Sequence, residues 1–166
     1  NADTRIFPAS TTKMMTAYLV FEALESGRLR RDQRLTVSAN AAAQPRTNLA
    51  LRRGSTITVD QALRGLLVHS GNDAAVILGE ALGGTREGFA RMMNAQAREL
   101  GMRGTNFFNA NGLGNPNQYT TARDMAQLLI AIERDFPELY DEYMGVRSFS
   151  YNGMSWTNTN RLLDSD

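Results

Sequence analysis

The chain has 166 residues, 42% of them hydrophobic, which is enough for one domain with a real core. Its 18 basic and 17 acidic side chains leave a formal charge of +1, so no field over the surface favours nucleic acid or an anionic membrane. It has no cysteine and one histidine, His69, which excludes a zinc site, an iron–sulfur cluster and a cysteine nucleophile and points to chemistry without metal or cofactor.

No run of about 18 apolar residues is present, so no membrane segment is predicted, and no basic, apolar, small-residue leader opens the chain. An exported form would therefore have lost its leader before Asn1. Lack of cysteine fits a reducing cytoplasm and an oxidising periplasm equally. Both ends read as cut: Asn1-Ala2-Asp3-Thr4 leads almost at once into a helix, and Leu163-Asp164-Ser165-Asp166 follows a strand-like segment with no closing element. The expectation is a single incomplete domain over 1–166.

From Ser10 onward Met14, Met15, Tyr18, Leu19, Phe21 and Leu24 recur at helical intervals and Gly27 supplies a stop, so the pattern predicts a helix from 10 to about 26. Apolar residues fall on nearly all its sides, as in a helix at a domain centre. Within it lies the chain's one lysine, Lys13, beside 17 arginines elsewhere. A guanidinium stays protonated, whereas a buried lysine can lose its proton and act as a base. Lys13 is three residues after Ser10, on the same helix face, so its amine can reach the Ser10 hydroxyl. The helix N-terminus would also favour the negative charge that develops when Ser10 attacks a carbonyl. The plainer alternative is that Ser10 is an N-cap and Lys13 reaches solvent.

Arg28-Leu29-Arg30-Arg31-Asp32-Gln33-Arg34 reads as a solvated turn. Segments 34–38 and 55–59 are short enough to pair as two strands. Thr58 and Gln61 can form a capping box for a helix ending near His69, and Asn72 or Asp73 can cap the next, which stops at Gly83-Gly84. At the break between them Ser70-Gly71-Asn72 places a hydroxyl and a carboxamide two residues apart. Alone this is an ordinary turn.

Further on, Thr85 to Leu100 carries Phe89, Met92 and Met93 and is stopped by Gly101, which reads as an amphipathic core helix. Residues 109–117, rich in Asn, Gly and Pro, predict a loop. A helix from Thr121 to Asp135 should turn Met125, Leu128, Leu129 and Ile132 to one face, and Pro137 can open a short helix with Leu139, Tyr140 and Tyr143. Phe149 to Trp156 reads as a hairpin with Asn152-Gly153 at its turn.

Ser-x-x-Lys at Ser10 and Lys13, followed sixty residues later by Ser-x-Asn at Ser70 and Asn72, resembles the signature of serine penicillin-binding proteins and β-lactamases. Ile6-Phe7-Pro8-Ala9-Ser10-Thr11-Thr12-Lys13-Met14-Met15-Thr16 and Val68-His69-Ser70-Gly71-Asn72-Asp73-Ala74 look like the low-molecular-mass D-alanyl-D-alanine carboxypeptidases. Thr105-Asn106-Phe107, Asn111-Gly112-Leu113, Tyr119-Thr120-Thr121-Ala122-Arg123-Asp124-Met125-Ala126 and Thr157-Asn158-Thr159-Asn160-Arg161-Leu162-Leu163 extend the likeness along nearly the whole chain. The resemblance implies an α+β, β-lactamase/transpeptidase-like fold, of which this chain carries mainly the helical part and little of the central antiparallel sheet. It also implies a periplasmic or extracytoplasmic place, a peptidoglycan pentapeptide as substrate and β-lactam antibiotics as covalent inhibitors.

By the same resemblance Ser10 attacks the peptide bond between two D-alanines, Lys13 takes its proton and Ser70 relays a proton to the leaving amine. Asn72 would hold Lys13 and a substrate amide. One departure stands out. The family's third motif, Lys-Thr-Gly, follows shortly after the segment matched by Asn160-Arg161-Leu162-Leu163, and no second lysine exists here to build it. A class A-like β-lactamase is the rival enzyme, but its deacylating glutamate has no counterpart between Glu99 and Glu133. A Ser10/His69 dyad is a poorer rival, and a truncated non-catalytic binding or structural module is the alternative of a different class.

Overall fold

The computed structural model describes residues 1–158 and, at Ser10, the backbone alone; the expectations for Asn160-Arg161-Leu162-Leu163 lie outside the described residues. The elements run β1 (Arg5–Ile6), α1 (Ala9–Ser26), β2 (Arg34–Thr36), α2 (Ala39–Ala42), β3 (Thr56–Thr58), α3 (Val59–His69), α4 (Asn72–Gly83), α5 (Arg86–Glu99), β4 (Thr120–Thr121), α6 (Ala122–Asp135), α7 (Pro137–Met144), β5 (Ser148–Tyr151) and β6 (Met154–Thr157). The strands pair antiparallel in twos, β1 with β4, β2 with β3 and β5 with β6. The architecture is thus mixed and mostly helical, with small two-stranded sheets.

Helix α1 is the hub. Met15, Ala17, Val20, Phe21 and Ala23 are wholly buried, and α3, α4, α5 and α6 all pack against it. Gly27 ends it in a left-handed conformation (φ 80°), which costs a glycine nothing and any other residue about 1 kcal/mol or more. At the other end the helix begins at Ala9, with Pro8 outside it and no side-chain cap. Ser10 is therefore inside the first turn, not the capping residue.

Several expectations need revision. The capping box of Thr58 and Gln61 is present on α3, but α4 is preceded by Gly71 and has no side-chain cap. Asp73, expected as a possible cap, instead turns its carboxylate toward the loop at 49–51. On α6, Leu128 and Ile132 are buried, whereas Leu129 is 37% exposed and Ile130 is 63% exposed. The β2–β3 pairing is shorter than expected, since α3 begins at Val59, and β1, β4 and α2 were not anticipated. The arginine-rich turn is also more than solvated. Arg31 donates to Glu142 at 2.8 Å and lies over the Tyr143 ring, clamping α7 to the turn before β2.

Candidate active site

Helices α3 and α4 are nearly continuous and are parted by Ser70 and Gly71. Ser70 holds a left-handed backbone (φ 56°, ψ 39°), and its N–H and that of Gly71 both return to the Gly65 carbonyl, closing α3. A glycine would take that conformation freely, whereas a serine pays for its Cβ there. The turn points the Ser70 carbonyl at helix α1. Lys13 Nζ donates to that oxygen at 2.7 Å, joining residues that the two motifs bring from opposite parts of the sequence. Burial among the helices lowers the Lys13 pKa from its ordinary value, because the charged form is the one that loses hydration.

Asn72, the first residue of α4, is 2% exposed. Its side-chain amide donates to the Pro45 carbonyl at 3.0 Å, and its backbone N–H donates to the Thr47 carbonyl at 2.7 Å. Among the described residues its Oδ1 is buried with no hydrogen-bond partner, as is the Thr12 hydroxyl on α1. Buried polar atoms are seldom left unpaired, so this oxygen is a candidate acceptor. His69 stacks on Trp156 of the β5–β6 hairpin, ring centroids 4.8 Å apart, and burial lowers its pKa.

A cavity of about 500 Å³ opens beside Lys13 and Ser70, with Met14, Leu67 and Met125 among its apolar walls. Another, of about 330 Å³, lies between α4 and the loop at 109–114, away from Lys13 and Ser70. That loop is stapled by its own side chains: Asn109 Oδ1 accepts from Gly112 N–H, Asn109 Nδ2 donates to Leu113, and Asn111 Nδ2 donates to Gln44 Oε1. It packs on the start of α1 so closely that a Cβ on Gly112 would fall 2.9 Å from Ala9 Cα.

The structure thus brings Lys13, Ser70 and Asn72 to one place, at the N-terminal end of α1 where Ser10 lies. The sequence reading gave Asp73 only a capping role and did not single out Thr47. Both oxygens of the buried Asp73 carboxylate accept from Leu49 N–H at 3.0 Å, and one accepts from Leu51 N–H at 3.2 Å. The signal was available: a charged residue directly before the apolar stretch Ala74-Ala75-Val76-Ile77 cannot stay buried without partners. Thr47, whose hydroxyl donates to the Ser70 carbonyl at 3.0 Å, gave no such signal, because a loop threonine is unremarkable in sequence.

Among the described residues no group of acidic, histidine or cysteine side chains could hold a metal ion, and no helix is long and apolar enough to cross a membrane.

A family model described as D-alanyl-D-alanine carboxypeptidase matches residues 1–166. The D-alanyl-D-alanine carboxypeptidase DacA of Haemophilus influenzae is 38% identical over 166 residues, covering 98% of this chain and 42% of that protein. DacC of Escherichia coli is 36% identical over 169 residues, with the same 98% and 42% coverage. Among solved structures, penicillin-binding protein 5 of Haemophilus influenzae superposes with a TM-score of 0.92 at 38% identity, covering 98% of this chain and 48% of that one. Penicillin-binding protein D2 of Listeria monocytogenes, in its ampicillin-bound form, gives 0.85 at 32% identity, covering 100% and 68%. The chain therefore spans less than half the length of these curated relatives.

Proposed function

Since this chain belongs to the D-alanyl-D-alanine carboxypeptidase family, we propose that it carries the nucleophile and general base of a serine enzyme that trims the terminal D-alanine from peptidoglycan stem peptides. The observation that carries the reading is Lys13: the only lysine in the chain, three residues from Ser10, held by the Ser70 carbonyl, with a lowered pKa. A lysine so placed can be neutral when the nucleophile needs a base.

In the proposed cycle the Ser10 hydroxyl oxygen attacks the carbonyl carbon of the penultimate D-alanine, and Lys13 takes the hydroxyl proton. The positive end of helix α1 faces the oxyanion, and the Ser10 backbone N–H donates to it. Collapse of the tetrahedral adduct breaks the C–N bond; Ser70 passes its hydroxyl proton to the leaving amine of the terminal D-alanine and takes back the proton that Lys13 received from Ser10, which leaves Lys13 neutral again. Water then hydrolyses the ester, releasing the shortened peptide and restoring Ser10. Asn72 Oδ1, buried and without a partner among the described residues, is the acceptor offered to Lys13 or to a substrate amide. A β-lactam enters the same cycle through its ring carbonyl and acylates Ser10.

We further propose that residues 1–166 form the central part of the peptidase domain, working outside the cytoplasm. The Lys-Thr-Gly strand of the family's third motif, with its oxyanion donor, would come from further sequence of a full-length protein. Losing one such donor typically costs about 10² to 10³ in rate.

The test is release of free D-alanine from a peptide ending in D-alanyl-D-alanine, run beside penicillin labelling followed by intact-protein mass spectrometry, on the full-length protein and its Ser10→Ala variant. D-alanine release and a penicillin adduct mapped to Ser10, both lost in the variant, are the expected results. Rapid penicillin hydrolysis without D-alanine release would turn the reading to a β-lactamase, and no reaction with either would turn it to a non-catalytic module.

A further inference from the structure

The Ser70 carbonyl accepts two hydrogen bonds, one from Lys13 Nζ at 2.7 Å and one from the Thr47 hydroxyl at 3.0 Å. Thr47 reaches it from a loop with no regular structure, so something else must fix that loop. The fixing group is Asp73. Its carboxylate gathers the N–H groups of Leu49 and Leu51 as well as that of Ala74 in its own helix. Asn72 adds two ties, to the Pro45 and Thr47 carbonyls. Leu49 and Leu51 are buried, so the loop is pinned by packing and by hydrogen bonds together.

We propose that Thr47 is a positioning residue for Lys13: its hydroxyl shares the Ser70 carbonyl with the Lys13 amine and, on a loop anchored by Asp73, keeps the Ser70-Gly71-Asn72 turn in register with α1. The proposal rests on the acyl-transfer reading of Ser10 and Lys13 and deepens it.

The chemistry follows from the shared oxygen. A carbonyl that accepts from an ammonium stabilises the charged form of the lysine. A second donor on the same oxygen draws on the same electron density and weakens that hold, leaving the amine closer to the neutral form a base requires. Among the described residues the titratable neighbours of Lys13 are few. Glu133 of α6 and Tyr140 of α7 share its cavity, His69 lies at the end of α3, and Asp73 is engaged by the amides named above. Thr47 is exposed and uncharged, so replacing it leaves that set of charges unchanged.

The test uses full-length protein with Thr47→Val, which keeps the shape and removes the donor, and Thr47→Ser, which keeps the donor. Acylation of Ser10 by penicillin is followed against pH, and the Lys13 amine is titrated by NMR in 13C-lysine-labelled protein, its resonance assigned by its loss in Lys13→Arg. Thr47→Val should slow acylation at neutral pH about threefold to tenfold, the span a single hydrogen bond supplies, and should move the Lys13 midpoint upward. Thr47→Ser should restore both. A lower melting temperature with an unmoved Lys13 midpoint, or a Thr47→Val protein with native rate and midpoint, overturns the role of Thr47 while leaving the acyl-transfer reading intact. Failure of the unsubstituted protein to acylate at Ser10 overturns both.

Discussion

Lys13 Nζ and the Ser70 carbonyl oxygen, 57 residues apart in sequence, meet at 2.7 Å. The contact is made to the backbone of the second motif rather than to its hydroxyl, which leaves the Ser70 side chain uncommitted to Lys13. Because Ser70 takes a left-handed conformation at the end of α3, its carbonyl is turned out of the helix and toward α1. The strained backbone of Ser70 and the Lys13 amine thus join the two motifs directly.

Lys13→Arg is the sharpest test of the base. The guanidinium keeps the positive charge but does not deprotonate at any accessible pH. Acylation of Ser10 by penicillin should fall at least about 10²-fold, the lower end of what a positioned general base contributes. The pH dependence has a definite sign. Burial lowers the Lys13 pKa, so acylation by the native protein should rise with pH as the ammonium loses its proton, with a midpoint below the ordinary lysine value of 10.5. Stopped-flow acylation rates across pH would check both; a native rate in Lys13→Arg, or a flat profile, removes Lys13 from the base role.

Ser70→Gly separates stability from chemistry. The φ of 56° costs serine about 1 kcal/mol that glycine escapes, so the variant should unfold at a denaturant midpoint equal to or higher than that of the native protein. Its turnover should nevertheless fall, because the hydroxyl proposed to relay a proton is gone. A destabilised variant would show that the Ser70 side chain holds the turn, and undiminished turnover would show that it relays nothing.

Much of this arrangement was legible in the sequence, and the failures have physical causes. The 3.6-residue pattern of α1, its glycine stop and the Thr58/Gln61 box are local signals, and each appears where the residues place it. The Asn152-Gly153 turn is equally local, both residues taking positive φ values of 54° and 79°. Ser-x-x-Lys and Ser-x-Asn singled out Lys13 and Ser70, which the fold brings into contact, but which atom of Ser70 faces Lys13 depends on a backbone conformation that no spacing encodes. Asp73 was misjudged because cap preference is weighed over neighbouring residues, whereas its partners, Leu49 and Leu51, lie on the far side of β3 and α3. Leu129 shares the apolar face of α6 yet is 37% exposed, because periodicity marks a face as apolar without saying what covers it.

The clamp on α7 offers a stability test away from the site. Tyr143 is fully buried, and its hydroxyl donates to Asp60 Oδ1 on α3 while receiving Arg31 at 3.3 Å. Burial and the Asp60 carboxylate push the hydroxyl well above its ordinary pKa, so it remains a donor at any working pH. Tyr143→Phe keeps the ring against Phe21 and deletes this bond. Chemical denaturation should show a loss of about 1.5 to 3 kcal/mol, as expected for a hydrogen bond to a charged acceptor, with acylation of Ser10 unchanged. No loss of stability would mean that Arg31 and Arg64 alone satisfy Asp60 and Glu142.

The loop at 109–114 should act on the nucleophile through contact alone, and two of its glycines allow a controlled comparison. Gly112 and Gly114 both have positive φ, 80° and 77°, so an alanine at either carries the same left-handed cost of about 1 kcal/mol. They differ in what surrounds them. A Cβ on Gly114 would meet nothing within 4 Å, whereas one on Gly112 would lie 2.9 Å from Ala9 Cα and 2.9 Å from the Thr12 hydroxyl oxygen. Ala9 is backbone of the first turn of α1, the turn that contains Ser10, and cannot yield without moving that turn. Gly114→Ala should therefore lose about 1 kcal/mol of stability and keep its acylation rate. Gly112→Ala should lose about 1 to 3 kcal/mol more, the usual cost of overpacking, and should acylate more slowly in its folded fraction. Denaturation midpoints and penicillin acylation rates, measured on both variants, decide the matter. Equal losses of stability would mean that the loop lifts away freely, and a native acylation rate in Gly112→Ala would mean that the first turn of α1 tolerates displacement.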